Sequence, residues 1–321
     1  MIFSSNNSTY IDGMMFVPVT FPYNVPDALL IEDLKIQQLI ECCNKKQIKK
    51  VFIQGIKDFE FIKTCKSIQH IAIELQIPFK TYSELKSSKI VYDLNCLQDL
   101  PHLKSVDIRE DERYKLNVKA LLDLRKIKKL EEFCGDYKFA NGLSEAIQLK
   151  TLRLNKFKKP DLLELKKLSL LDTAYLSFSG LESLKGVQNF PRLQCLYLSY
   201  NRKLYDISDL CHVKKSLRAL RIENCPHIQD FSVLYELENL ELLELTGNNN
   251  LPSLSFIKKM TKLKTLIFSM YICDGDLSLC RNLSYVYSDK NRRHYNIRDS
   301  ELPKVAYYRG NENIELWRRL E

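Results

Sequence analysis

Apolar residues recur along the chain in a phrase of the form L-x-x-L-x-L, with any aliphatic residue or Phe allowed at each L. The clearest copies begin at Leu149 (LKTLRL), Leu193 (LQCLYL), Leu217 (LRALRI), Leu240 (LELLEL) and Leu263 (LKTLIF). A looser copy, LDTAYL, begins at Leu171 and carries Ala174 in the second place. From Leu149 to Leu263 the start-to-start spacings are 22, 22, 24, 23 and 23 residues. The alternation that ends each phrase has the period of a strand, whose successive side chains point to opposite faces. Each copy therefore predicts one short strand, with the L positions turned inward and the x positions turned out.

A second apolar phrase follows each well-formed copy, as in Leu204/Ile207/Leu210, Ile228/Phe231/Leu234 and Leu251/Leu254/Ile257. Its spacing of three suits a 3-10 turn or one helical turn. Three residues after the last L, Ser179, Asn201, Cys225 and Asn248 hold the place where the chain leaves the strand. A side chain there is expected to satisfy backbone groups that would otherwise be buried without partners. Weaker copies lie upstream, at Ile48–Ile53, Ile68–Ile73 and Leu103–Ile108, with a partial one at Leu130–Phe133 and a strand-like run at Lys89–Tyr92. Leu283–Val286 is the last candidate. Pro18, Pro22 and Pro26 argue against a helix in residues 1–26. From Asp27, an N-cap residue type, Leu30, Leu34 and Ile40 predict one face of a helix.

A period of about 20–29 residues around this core marks a leucine-rich repeat solenoid. The phrase I/L-x-D/S-I/L/F-S-x-L resembles the 22-residue repeats of bacterial internalin-like proteins and of the SDS22-like class, over roughly residues 149–285. That resemblance implies an α/β solenoid: a horseshoe with a parallel concave β-sheet, short 3-10 or helical turns on the convex side, and a cap at each end. It carries no catalytic residues. The expected organisation is an N-terminal cap over residues 1–47 and repeats over 48–287, irregular in 48–148 and regular in 149–287. A C-terminal cap over 288–321 follows, in which Ile314, Leu316 and Trp317 fold back over the last repeat. The irregular stretch also fits an α/β cap.

Composition changes this picture little. The chain has 321 residues, 45% of them apolar and 28% charged, with no uncharged apolar run of membrane-spanning length and no secretory leader pattern. Ten cysteines in a chain expected to be cytoplasmic read as reduced packing residues. The net charge of +9 admits an acidic protein or a nucleic acid without demanding either. Phosphate-loop, dinucleotide, zincin and nucleophile-elbow motifs are missing, nine glycines leave little for phosphate loops, and neither Cys211-His212 nor Cys225-Pro-His227 has zinc-site spacing. No cofactor, metal or catalytic residue is expected.

The outward positions of the strands predict the binding face. Between the second and third L stand Arg153, Tyr175, Tyr197, Arg221, Glu244, Ile267 and Tyr287; before the second L stand Thr151, Thr173, Cys195, Ala219, Leu242, Thr265 and Tyr285. Beyond the third L come Asn155, Ser177, Ser199, Glu223, Thr246 and Ser269, and next to these Phe178 and Tyr200 form a rim. The face is rich in Tyr and Arg and poor in Lys, the bias of protein interfaces. The candidate contact set is Arg153, Tyr175, Phe178, Tyr197, Tyr200, Arg221, Glu223, Glu244, Tyr285 and Tyr287. The expected function is a monomeric, non-catalytic protein-binding module. The resemblance further suggests a cytoplasmic bacterial immunity protein that neutralises a toxin domain. The alternatives are an adaptor or regulatory subunit on a host enzyme and, less favoured, a nucleic-acid-associated protein.

Overall fold

The computed structural model describes residues 9–11, 14–19, 25–31, 36–75, 90–110 and 118–305. The chain divides into two compact units, Met1–Leu149 and Lys150–Glu321.

In the first unit, β1 (Thr9–Ile11), β2 (Met14–Val19) and β3 (Val25–Ile31) pair antiparallel in turn. Helix α1 (Ile36–Lys45) follows, then β4 (Lys50–Gln54), β5 (His70–Leu75), β6 (Ile90–Asp93), β7 (Ser105–Glu110), β8 (Val118–Leu121) and β9 (Glu132–Asp136). From β3 the sheet continues in parallel through β4, β5, β7 and β9. The weak copies thus each supply a rung, with Val51, Ile71, Val106 and Phe133 aligned in one buried row.

One expectation fails here. The helix predicted from Asp27 does not begin there: residues 25–31 form β3, and α1 starts at Ile36. Ala28, Leu29, Leu30 and Ile31 are all buried, and four apolar residues in succession suit a strand covered on both faces. A helix in this setting buries a single stripe, as α1 does with Leu39, Cys42 and Cys43. Leu34 lies outside the described residues. Of the strand-like run at Lys89–Tyr92, Lys89 lies outside the described residues and residues 90–92 fall in β6, which adds no rung to the main sheet. It pairs with β8 in a separate two-stranded parallel sheet, and its Tyr92 packs edge-on against Phe59 at 6.3 Å. It occupies the second-half position of an enlarged repeat, between the copies at Ile68 and Leu103.

The second unit is regular. Strands β10 (Thr151–Asn155), β11 (Thr173–Ser177), β12 (Cys195–Ser199), β13 (Ala219–Glu223) and β14 (Leu242–Thr246) are followed by β15 (Asn250–Leu251), β16 (Thr265–Phe268), β17 (Tyr271–Ile272) and β18 (Tyr285–Ser288). β10 through β14, β16 and β18 form one parallel sheet in which equivalent residues of successive repeats lie opposite each other. The row Leu152, Ala174, Leu196, Leu220, Leu243, Leu266 and Val286 is buried throughout, as are Leu154, Leu176, Leu198, Ile222, Leu245 and Phe268. Each buried Leu or Ile contributes about 1.5–3 kcal/mol. The second apolar phrases end in short 3-10 segments, Ser208–Val213, Ser232–Glu236 and Ser255–Lys258, which take in Leu210, Leu234 and Ile257. Eight of the ten cysteines are buried. Among the described residues no helix is long and apolar enough to cross a membrane.

The turn row behaves as its chemistry requires. Asn201 is fully buried and bridges two repeats: its Nδ2 donates to the Leu176 carbonyl at 2.9 Å, and its Oδ1 accepts from the Ser179 N–H at 2.8 Å. The Cys225 thiol donates to the Leu198 carbonyl at 3.7 Å. In the next repeat the expected residue is wrong by one. Asn248 is exposed, and buried Asn249 donates to the carbonyls of Cys225 and Ile228 at 3.1 and 2.8 Å. Gly247, at φ +135°, turns the chain so that its successor points outward.

The sheet's last edge is closed. The Val286 N–H donates to the Pro303 carbonyl at 2.9 Å and the Val305 N–H to the Ser284 carbonyl at 3.0 Å, so residues 303–305 run antiparallel to β18. Ile297 and Leu302 are buried beneath this segment's approach. Ile314, Leu316 and Trp317 lie outside the described residues.

Asn201→Ala strands a buried N–H and a buried carbonyl, each costing about 1–3 kcal/mol. The expected loss is about 3 kcal/mol, read as a lowered urea midpoint at unchanged slope. A loss below about 1 kcal/mol would mean that water replaces the amide and that the turn row is not a structural requirement.

Candidate protein-binding face

The outward face of the second unit is a packed layer with its own interior. The row nearest the strand starts is not open, contrary to expectation. Thr151, Thr173, Cys195, Ala219, Leu242, Thr265 and Tyr285 are all buried. Cys195, Ala219 and Leu242 form a small apolar cluster, and half-buried Tyr175 packs against it. Small residues in one row leave room for large ones in the next to lie over them. Burial holds the Cys195 thiol well above its ordinary pKa.

The covering row is continuous. The Arg153 guanidinium lies 3.7 Å from the centroid of the Tyr175 ring. Tyr175 and Tyr197 meet edge to face at 5.5 Å and 80°. Arg221 lies over the Tyr197 ring at 4.9 Å, and its Nε donates to Glu244. The Tyr197 hydroxyl donates to Glu223, which also accepts from Ser199 Oγ at 2.9 Å. Burial, then the carboxylate of Glu223, pushes the Tyr197 pKa up to about 12. Burial also raises that of Glu244, against the pull of Arg221.

In-register pairing thus turns residues 22–24 positions apart into a ladder of cation–π, aromatic and ionic contacts. Arg153 and Glu244 are buried within it, at 7% and 8% exposure, and are supports more than contact points. Past Glu244 the row opens into a concavity of about 500 Å³, lined by Glu223, Glu244, Ile267, Tyr285 and Tyr287. Tyr287 is exposed there, and Lys304 Nζ lies 5.4 Å from each of the two tyrosine rings.

The rim is strained. Directly after each of β10 to β13 one residue takes a left-handed conformation: Lys156 at φ +57°, Phe178 at +53°, Tyr200 at +54° and Asn224 at +49°. That turn lets the Phe178 N–H reach the Ser199 carbonyl at 2.9 Å and the Tyr200 N–H reach that of Glu223 at 2.8 Å. For a residue with a β-carbon it costs about 1–2 kcal/mol. The Phe178 and Tyr200 rings stack at 4.9 Å and 10°, which returns about 0.5–1.5 kcal/mol. Both rings stay exposed.

All ten candidate residues therefore fall on one face or its rim, in three layers: the sealed Tyr285, the ladder, and the exposed Phe178, Tyr200 and Tyr287. The sequence order Arg–Tyr–Tyr–Arg–Glu, taken at the repeat spacing, carried the signal for the ladder. The burial of the Thr/Cys/Ala/Leu row follows only once the size of its neighbours is considered.

Removing Arg221 leaves Glu244 charged and buried, and breaking such a pair costs about 3–5 kcal/mol. Arg221→Ala is expected to lose about 3 kcal/mol at neutral pH, and the Arg221→Ala/Glu244→Ala pair to lose less than the single variant. Burial raises the folded pKa of Glu244, so its unfavourable contribution is absent below the ordinary 4.5 and appears as pH rises through the folded value. The deficit of Arg221→Ala should accordingly shrink as pH is lowered towards about 4. A deficit independent of pH would show that Glu244 is not the group left unpaired.

No protein-family model and no curated protein matches the chain. Among solved structures it is similar to an internalin (inlF) from Listeria monocytogenes, at 16% identity over 90% of this chain and 92% of that one, with a TM-score of 0.49. It is also similar to a leucine-rich repeat protein of Leptospira interrogans, at 16% identity over 87% and 88% of the two chains, with a TM-score of 0.48. The chain's own repeat and strand register make its fold that of a leucine-rich repeat solenoid.

Proposed function

We propose that this chain is a non-catalytic protein-binding module of the bacterial cytoplasm, and that the partner it holds on the outward face of β10–β18 is a toxin domain it neutralises. The ladder from Arg153 to Glu244 carries the reading. Tyr and Arg are the residues in which interface hot spots are enriched. Here they are held by one another before any partner arrives, so docking costs less side-chain freedom. The strands' outward rows hold no lysine, whereas Lys158, Lys166, Lys167, Lys214, Lys215, Lys258 and Lys259 sit in exposed turns and 3-10 segments. Arg221, Glu223, Glu244 and Tyr197 are committed to internal contacts. That suits recognition better than proton transfer, which needs a group poised on the reacting proton. The toxin and the bacterial cytoplasm rest on the resemblance of the short repeats and the Lys-, Ile- and Asn-rich composition to bacterial repeat proteins. An adaptor on a host enzyme would use the same face and differ only in what it holds.

The test is to purify a tagged chain from its native cells, digest with nuclease, wash at high salt and identify what remains. One stoichiometric protein is expected, and a toxin domain whose growth inhibition is relieved by this chain establishes neutralisation. A regulatory enzyme in that band would instead establish the adaptor. Thr246→Arg sets a long charged side chain on a half-buried face position opposite Glu223. It is expected to weaken the complex at least tenfold, about 1.4 kcal/mol. Loss of all bound material on digestion or in salt would overturn protein binding in favour of nucleic acid.

A further inference from the structure

We infer that the Phe178–Tyr200 stack on the rim is an anchor site for an acidic segment of a partner protein carrying one aromatic or aliphatic side chain. The inference deepens the protein-binding reading and rests on it.

Three observations carry it. First, the row that holds these two residues asks for something else. Its left-handed backbone favours glycine and asparagine, and its later members are Asn224 and Gly247. The fold thus accepts the small residues at this place, and gains nothing from aromatic ones except their mutual stacking. Backbone strain held at an exposed position is a mark of function. Second, the rings are not used to seal anything. Phe178 is 58% exposed and Tyr200 37%, with one face of each ring against the other. Third, the surroundings are positive. Lys156, Lys158, Arg202 and Lys203 are exposed in the turns that flank the stack. Lys159 is paired with Glu164 at 2.9 Å. The next carboxylates along these turns, Asp161 and Glu182, lie further on, towards the 3-10 segments. An apolar platform ringed by cations matches an apolar side chain set among carboxylates. Opposite charge across such a rim also speeds encounter.

Bases stack on aromatic rings as well, so a nucleic acid is the competing occupant. It fits less well. The aromatic row is two residues long, bounded by Lys156 and Asn224, and offers successive bases no further ring to stack on.

The experiment pans a displayed random-peptide library against the full chain and measures the enriched peptides by fluorescence anisotropy. Two variants are compared with the wild type. Phe178→Asn combined with Tyr200→Gly installs the residue types that the same row already uses, so it is expected to keep its thermal midpoint. Lys158→Glu combined with Arg202→Glu reverses the charge. Enriched peptides are expected to be acidic with one aromatic or aliphatic residue, and to bind each variant at least tenfold more weakly. Basic or uncharged peptides, no enrichment at all, or affinity unchanged in the Phe178/Tyr200 variant would each overturn the proposal. So would a uridine-tract RNA that binds the wild type tightly and fails to bind that variant. The native partner separates the two readings. Its retention by the Phe178/Tyr200 variant, with loss on Thr246→Arg, removes the rim anchor and leaves protein binding on the face intact.

Discussion

Parallel pairing without offset sets Tyr175 beside Tyr197 and Arg221 beside Glu244. Adjacent strands lie about 4.8 Å apart, so whatever stands at one place in a repeat touches whatever stands there in the next. Apolar residues at the inward places become a core, and a buried amide at the turn place links two repeats, as Asn201 does. The same rule constrains the outward places. A row of identical charges would repel itself, and the observed row avoids this by running cation, ring, ring, cation, carboxylate. A single substitution on this face therefore acts on both neighbours, and the energetic unit is the contact between repeats.

Much of the second unit was legible because its period is the structure. Each L-x-x-L-x-L copy from Leu149 to Leu263 became a strand, and the spacing-of-three phrases after β12, β13 and β14 run into a 3-10 segment at their last apolar residue. The failures are local and have causes. The Ala28–Ile31 run suits helix and strand equally in isolation, and only pairing with β4 decides it. The buried turn amide is Asn249 and not Asn248 because Gly247 permits a backbone turn that counting cannot register. Of the candidate face, the membership was legible and the depth was not. Alternation tells which side of a sheet a residue is on, but burial on that side depends on the size of its neighbours. Tyr175 over Cys195 and Ala219 is the instance.

The face and its rim divide two kinds of work. On the face, Tyr197 donates to Glu223 while sharing a ring edge with Tyr175 and a ring face with Arg221, so its position is over-determined. Such a surface recognises by fixed shape. On the rim, two exposed rings stack on each other above a left-handed backbone. They can shift against an incoming side chain without loosening the core behind them.

The closed edge at β18 governs how such a molecule changes over time. Residues 303–305 occupy the outer hydrogen-bonding side of β18, so a further parallel repeat cannot pair with β18 directly. A repeat that enters between existing ones moves everything beyond it by one strand spacing, about 4.8 Å. A repeat inserted between β12 and β13 would part Tyr197 from Arg221 while leaving the capping segment at residues 303–305 as it is. The size of the footprint is thus quantised, and its pattern is more easily rewritten than its boundary.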